Sequence, residues 1–99
     1  MEKAYIYNLL TKGSDGRFVI SAYGTKELAE KALEDHVAAQ KELDGLGTDI
    51  YIDRHKYDRP ILPEIIVRPE DILSWITVNT RVGDKIVKTE RYIIRIEIK

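Results

Sequence analysis

Residues 25–43, TKELAEKALEDHVAAQKEL, decide the fold, because this is the longest stretch whose apolar residues recur at helical spacing. Its apolar side chains form one stripe that has to pack on another element: Leu28, Ala29, Ala32, Leu33, Val37 and Leu43. Thr25 is placed to cap the helix, and Glu27 in the first turn suits the helix dipole. Gly45 and Gly47 supply a stop. The stretch therefore predicts an amphipathic helix lying on a sheet.

A β-hairpin is predicted before the helix. Residues 4–10 and 17–23 alternate as pleated strands do, and Gly13 and Asp15-Gly16 between them favour a tight loop. A third strand is predicted from Asp49 to Tyr57. We expect one set of isoleucines to point at the helix: Ile6, Ile20, Ile50 and Ile52.

The last third of the chain predicts a second hairpin, about residues 74–98, with Gly83-Asp84 as its turn. Before it, three prolines in residues 58–72 interrupt any long element, and Pro69 can start one helical turn. Counting outward from the turn gives the expected pairs: Val82 with Lys85, Thr80 with Val87, Val78 with Thr89, Ile76 with Arg91 and Trp75 with Tyr92.

This register exposes a conflict, since the apolar side of the hairpin changes along its length. Near the turn the apolar face holds Ile76, Val78, Val82 and Val87. At the far end the opposite face is apolar, with Tyr92, Ile94, Ile96 and Ile98. Either a bulge lies near Arg91 and Tyr92, or the hairpin tip leaves the main sheet and packs on a second molecule. The second interpretation predicts a homodimer with an oligomer interface at Ile76, Val78, Val87 and Tyr92.

Together these elements predict one α+β domain over residues 1–99. It consists of a β-β-α-β unit (4–57) with one helix packed on an antiparallel sheet, a proline-rich link (58–72) and a C-terminal β-hairpin (73–99).

Composition narrows the class of protein. Sixteen Lys and Arg oppose seventeen Asp and Glu, for a formal net charge of −1 and a pI near 6.1. Such balance argues against a nucleic-acid partner. The absence of cysteine removes disulfides and thiolate chemistry. No apolar run has membrane-spanning length, so we expect no membrane association and a cytoplasmic protein.

Catalytic residue patterns are sparse. His36 and His55 are the only histidines, and neither has a partner at metal-ligand or nucleophile spacing. The glycine pairs lack a phosphate-loop signature. The sequence therefore predicts no enzyme, no metal and no cofactor. An enzyme built on His55, Asp53 and a tyrosine is the weaker alternative.

The tyrosines suggest a binding surface. Six of the eight aromatic residues are Tyr. If the isoleucines face the helix, strand tyrosines line the free face, and Tyr and Arg are enriched at binding hot spots. The predicted partner-binding residues are Tyr5, Tyr7, Tyr51, Arg54, His55 and Tyr57. The competing interpretation is that these are ordinary half-buried strand tyrosines with a wet hydroxyl.

Three segments carry a resemblance: the hairpin, the run Tyr23-Gly24-Thr25-Lys26-Glu27-Leu28-Ala29-Glu30-Lys31-Ala32-Leu33, and Tyr51-Ile52-Asp53. Over residues 4–57 the chain resembles small uncharacterised bacterial and phage proteins with a hairpin, a "TKE-x-AEKA" helix and a "Y-x-ID" strand. The resemblance implies no activity. It implies a phage or mobile-element origin, and such small proteins often act by binding a host component.

The expected function is therefore that of a non-enzymatic binding protein, a phage-encoded inhibitor that contacts a host protein. The alternative is an oligomer that sequesters a small anionic molecule such as a nucleotide, clamped by Tyr and Arg side chains. An aromatic single-strand nucleic-acid platform is a further, weaker alternative.

Overall fold

The computed structural model describes residues 3–44, 49–56, 58, 60, 62 and 67–98. The elements follow the chain in this order: β1 (Ala4–Lys12), β2 (Phe18–Tyr23), α1 (Lys26–Asp44), β3 (Asp49–His55), a 3₁₀ turn (Pro69–Asp71), β4 (Ile72–Val82) and β5 (Lys85–Ile98). One helix and a five-stranded antiparallel sheet make a mixed α+β fold, as predicted.

The C-terminal hairpin lies in the middle of the sheet. The strand order is β2-β1-β5-β4-β3, with every neighbouring pair antiparallel. β3 pairs with β4, and β1 pairs with β2 and β5, so the strands of the predicted β-β-α-β unit are joined through the hairpin. The pairs counted from the Gly83-Asp84 turn are confirmed, including Ile76 with Arg91 and Trp75 with Tyr92.

Local signals explain where the elements begin and turn. The Thr25 hydroxyl accepts a hydrogen bond from the Leu28 backbone N–H at 3.2 Å, which confirms the predicted helix cap. Gly16 and Gly83 occupy their two hairpin turns with positive φ angles of 83° and 62°. The predicted stop at Gly45 and Gly47 lies outside the described residues.

We call the side of the sheet that carries α1 the helix face and the other side the far face. The core of the helix face joins the stripe of α1 to three central strands: Leu9, Ala29, Leu33, Val37, Ile76, Val78 and Ile93. Tyr7, Ile50 and Ile52 pack against its margin. This core fixes the helix on the sheet through its predicted apolar stripe.

The far face has a core of its own, which resolves the conflict in the hairpin. Leu10, Leu62, Ile72, Tyr92 and Ile94 are buried together there, with Phe18, Val67 and Trp75 against them. Leu62 and Val67 of the proline-rich stretch thus cover part of the far face. One side of the hairpin packs against α1 and the other against these link residues.

Of the two explanations offered for that conflict, a bulge is present close to Tyr92, opposite Ile93 and Ile94, whereas the departure of the hairpin tip is wrong. The shift of register lies between Ile72 and Ser74, while the pairing at Arg91 and Tyr92 is regular. The hairpin tip stays within the sheet, because β3 pairs with β4 as far as Arg81.

The facing of the first hairpin also differs from the prediction. Ile50 and Ile52 pack against the helix-face core, but Ile6 and Ile20 lie on the far face, directly in register with Ile96 and Leu10. Tyr5, Tyr7 and Leu9 lie together on the other side of β1. That side is the one that meets the helix.

Candidate functional site

The predicted tyrosine surface is divided between the two faces. Tyr5 and Tyr7 lie on the helix face, where Tyr7 packs against the core and the Tyr5 ring lies under the Arg95 guanidinium at 4.8 Å. Tyr51 lies on the far face and is well exposed. Tyr57 is outside the described residues. The structure therefore does not bring these tyrosines together into one surface.

Arg54, another predicted partner residue, is bound within the chain. Its guanidinium donates two hydrogen bonds to the Glu34 carboxylate of α1, at 2.6 and 2.9 Å. The hydrogen bond from Arg54 lowers the pKa of Glu34 below its usual value. Both side chains are about half exposed, so this pair ties β3 to the helix weakly.

His55 lies in a polar and aromatic network on the far face. Its ring stacks on Trp75 with 3.5 Å between ring centroids, and its Nε2 lies 2.8 Å from the Thr77 hydroxyl. Its Nδ1 lies 3.4 Å from an Asp58 carboxylate oxygen, and the Trp75 indole N–H donates to the Asp58 carbonyl at 3.0 Å. The stack continues from Trp75 to Tyr92, whose hydroxyl donates to Glu90. We call the stack of His55, Trp75 and Tyr92 the aromatic ladder; it fixes β3 to β4 and β5.

The order of carboxylate, imidazole and hydroxyl in this network is the order of a nucleophile–base–orienter set. Thr77, however, retains 5 % exposure, and its hydroxyl is bonded to the stacked imidazole. We interpret His55 as the partner that satisfies a buried hydroxyl.

The predicted oligomer interface is corrected as well. Ile76, Val78 and Tyr92 are almost completely buried within the chain. Only Val87 of that set is exposed. Residues in two separate cores of the monomer are not available to a second molecule, so a dimer would have to use another surface.

A groove lies on the far face, beside the short stretch that leads into β4. It has a volume of about 710 Å³. Its floor consists of alternate residues of the first, second and fifth strands, namely Asn8, Leu10, Ile20, Ile94 and Ile96, and Val67 and Arg68 form one side. Because residues of the described link cover only part of the far face, Ile6, Ile20, Ile96 and Ile98 remain exposed around the groove.

A charged cluster lies at one end of the groove. The Asp71 carboxylate accepts hydrogen bonds from Arg95 at 3.0 Å and from Arg68 at 3.1 Å. The bond from Arg95 is the main reason that the pKa of Asp71 lies below its usual value. Lys3, Tyr5 and Glu97 complete this end. Tyr5, Arg95 and Glu97 belong to the helix face by alternation, so this end of the groove reaches around from the far face. An apolar floor with a polar end is typical of a binding site.

The sequence reasoning missed this groove, although part of its signal was visible. The isoleucines at 94, 96 and 98 were recognised as one apolar face. What was missing was the cover: residues 58–72 show no periodicity, yet Leu62 and Val67 bury one portion of that face and leave the rest open.

Two kinds of site were not found in the part of the chain that the structure describes. It holds no group of three or more His, Asp or Glu side chains arranged to bind a metal ion. Within the same residues, α1 is too polar to cross a bilayer, and no membrane-spanning helix is present.

Comparisons with known proteins add no family. A scan of protein-family models found no match to the chain, and searches of curated proteins and of solved structures found none either. The resemblance to small bacterial and phage proteins therefore stays a prediction.

Proposed function

We propose that this chain is a non-enzymatic binding protein that holds an apolar segment of a protein partner in the groove of the far face. The observation that carries the proposal is the exposure of Ile6, Ile20 and Ile96 on adjacent strands around a cavity of about 710 Å³. Exposed apolar patches of this kind mark interaction sites on small domains.

The chemistry of the groove favours a peptide over a small anion. Its floor is apolar apart from the Asn8 amide, which can exchange hydrogen bonds with a peptide backbone. The two arginines at its end, Arg68 and Arg95, are already bound to Asp71. An anion would have to compete with that carboxylate, so the sequestering alternative is the less favoured proposal.

The kind of partner follows from the predicted resemblance and not from the geometry. A phage or mobile-element protein of this size is expected to bind and inhibit a host protein, in the cytoplasm of the host cell. A homodimer is compatible with this role, provided that its interface leaves the groove open.

A matched pair of variants tests the groove. Ile96→Lys places a charge on the groove floor, whereas Ile86→Lys places the same charge on the same face of β5, at an exposed position outside the groove. Peptides selected from a displayed random library on the natural chain are then titrated against both variants, and amide NMR shifts locate the bound peptide.

We expect selected peptides to be apolar, to shift the amides of Leu10, Ile20 and Ile94, and to bind Ile96→Lys at least about tenfold more weakly. Ile86→Lys should bind them as the natural chain does. Equal loss in both variants, or shifts confined to another surface, would refute the groove as the binding site.

A further inference from the structure

The outer edge of β2 presents backbone groups that no other described strand meets. β2 is the outermost strand on its side of the sheet, and no described strand pairs with its outer edge. The Gly13 N–H donates to the Arg17 carbonyl at 2.9 Å, which fixes the alternation of hydrogen-bonded pairs between β1 and β2. By that alternation, the N–H and C=O groups of three residues point outward: Phe18, Ile20 and Ala22.

Nothing in the sequence of this edge protects it from another strand. Phe18–Tyr23 contains no charged residue and no proline, which are the usual devices that block edge pairing. Val19 is 67 % exposed on the helix face and Ile20 is 56 % exposed on the far face. The edge is thus apolar on both sides.

The helix layer extends this apolar edge. At about 3.6 residues per turn, Leu28 lies on the flank of α1 opposite Glu34. Glu34 reaches toward β3 through its bond to Arg54, so Leu28 lies on the flank toward β2. Leu28 is exposed, and with Val19 it gives the edge apolar groups in both the helix layer and the sheet layer.

We propose that β2 pairs with β2 of a second copy of this chain, antiparallel and about a two-fold axis that passes midway between the two Ile20 residues, so that the two sheets form one continuous sheet. An axis normal to the sheet keeps both helices on the same side. Residues that face each other across the two strands then point to the same side of the sheet. This requires that one residue of β2 lies directly opposite its own copy.

Ile20 is the residue that satisfies this condition best, because it is the middle one of the outward-pointing residues. The register places Ile20 opposite Ile20 and Phe18 opposite Ala22 of the second copy. All the outward groups of both edges are then paired, in about six backbone hydrogen bonds.

The side chains that meet in this register favour a second copy as the occupant. On the far face only apolar side chains meet. On the helix face Val19 faces Ser21, and Arg17, which is exposed and lies 3.5 Å from the Asp15 carboxylate, faces Tyr23 of the second copy. The pairing brings no like charges together. It also joins the two grooves along their Ile20 sides, and the dimer does not depend on what the grooves bind.

A charge-swap experiment tests both the occupant and the register. Ile20→Lys and Ile20→Glu each place two like charges directly opposite one another, which opposes pairing. Because Ile20 is exposed in the monomer, neither change disturbs a core. The mass of each protein is measured by sedimentation equilibrium, and an equimolar mixture is analysed by native mass spectrometry.

We expect the natural chain to have the mass of two chains at about 100 µM and each variant to associate at least about tenfold more weakly. The mixture should form the mixed dimer, because the introduced lysine of one chain then faces the introduced glutamate of the other. Ile96→Lys and Ile86→Lys should remain dimeric. A single-chain mass for the natural protein, unchanged association of Ile20→Lys, or a mixture that stays monomeric would each overturn the proposal. Because Ile20 also lines the groove, peptide binding is judged from Ile96→Lys and Ile86→Lys and not from the Ile20 variants.

Discussion

The two edges of the sheet differ in the charge of their strands. β2 is uncharged along its whole length and exposes apolar side chains on both faces. β3 carries Asp53 on the far face and Arg54 on the helix face. The β2 edge is therefore suited to pairing with another strand, whereas the charges of β3 disfavour such pairing.

The comparison also shows what holds β3 in place. Its Arg54 is bound to Glu34 on α1, and its His55 is stacked on Trp75 and bonded to Thr77. β3 is thus tied to its own chain by side chains on both faces. β2 contributes Tyr23 to the helix-face core but has an exposed outer side.

Removing the charges of β3 should have the largest effect, which is a change in the size of the assembly. Asp53→Val with Arg54→Val gives the second edge the apolar character of β2. We expect assemblies larger than a dimer, because both ends of each sheet can then recruit a strand. Light scattering measures the mass; the same double change made together with Ile20→Lys should limit growth to dimers. A mass unchanged from the natural protein would show that charge does not protect β3.

A pair of proline variants separates the two sides of β2. The Ser21 N–H points toward β1, so Ser21→Pro breaks the ladder and should cost about 2 kcal/mol of unfolding free energy or more. The Ala22 N–H points outward, so Ala22→Pro should leave the unfolding of the monomer nearly unchanged while weakening self-association. Urea unfolding at low protein concentration measures the first effect. Equal destabilisation by the two prolines would contradict the assigned alternation.

Disrupting the aromatic ladder of His55, Trp75 and Tyr92 should have a smaller effect, on the free energy of unfolding. His55→Ala removes the ring from Trp75 and leaves the Thr77 hydroxyl buried without its partner. We expect a loss of about 1 to 2 kcal/mol in unfolding free energy. His36→Ala, at an exposed helical position, is the control and should change stability by less than about 0.5 kcal/mol. If thermal unfolding showed the same decrease in Tm for His55→Ala and His36→Ala, the contacts of His55 would not contribute to stability.

The smallest effect belongs to the pair of Glu34 and Arg54. Since the folded state lowers the pKa of Glu34, the pair stabilises the fold at pH values above the ordinary glutamate pKa. That contribution is lost as the pH falls through the lowered pKa of the folded state. Because both groups are half exposed, we expect Glu34→Gln to cost roughly 0.5 kcal/mol at neutral pH and nothing in strong acid. A cost that persists in strong acid would contradict the ion pair as its cause.

The sequence predicted those features that depend on near neighbours. The helix and its Thr25 cap, the positive-φ glycines and the hairpin register all follow from spacing within a few residues or from counting away from one turn. Alternation also grouped the residues of each strand correctly. These local rules are sufficient for the element order and for the central pairing of Trp75 with Tyr92.

What could not be predicted is which layer covers which face. Alternation places Tyr5 with Tyr7 but does not say that the helix lies over them. The aperiodic link gave no sign that Leu62 and Val67 would bury part of the far face. The predicted tyrosine surface and hairpin interface were wrong for this reason. The groove and the exposed edge of β2 can be recognised only once the positions of α1 and of the described link residues are known.

The most direct test of the difference between the edges is hydrogen exchange at single amides. We predict that the N–H groups of Phe18, Ile20 and Ala22 exchange slowly at about 100 µM and become fast on dilution, because they are paired only in the dimer. Ser21, which points toward β1, should stay slow at both concentrations. Fast exchange of the three outward amides at every concentration would contradict the pairing of β2 with a second copy.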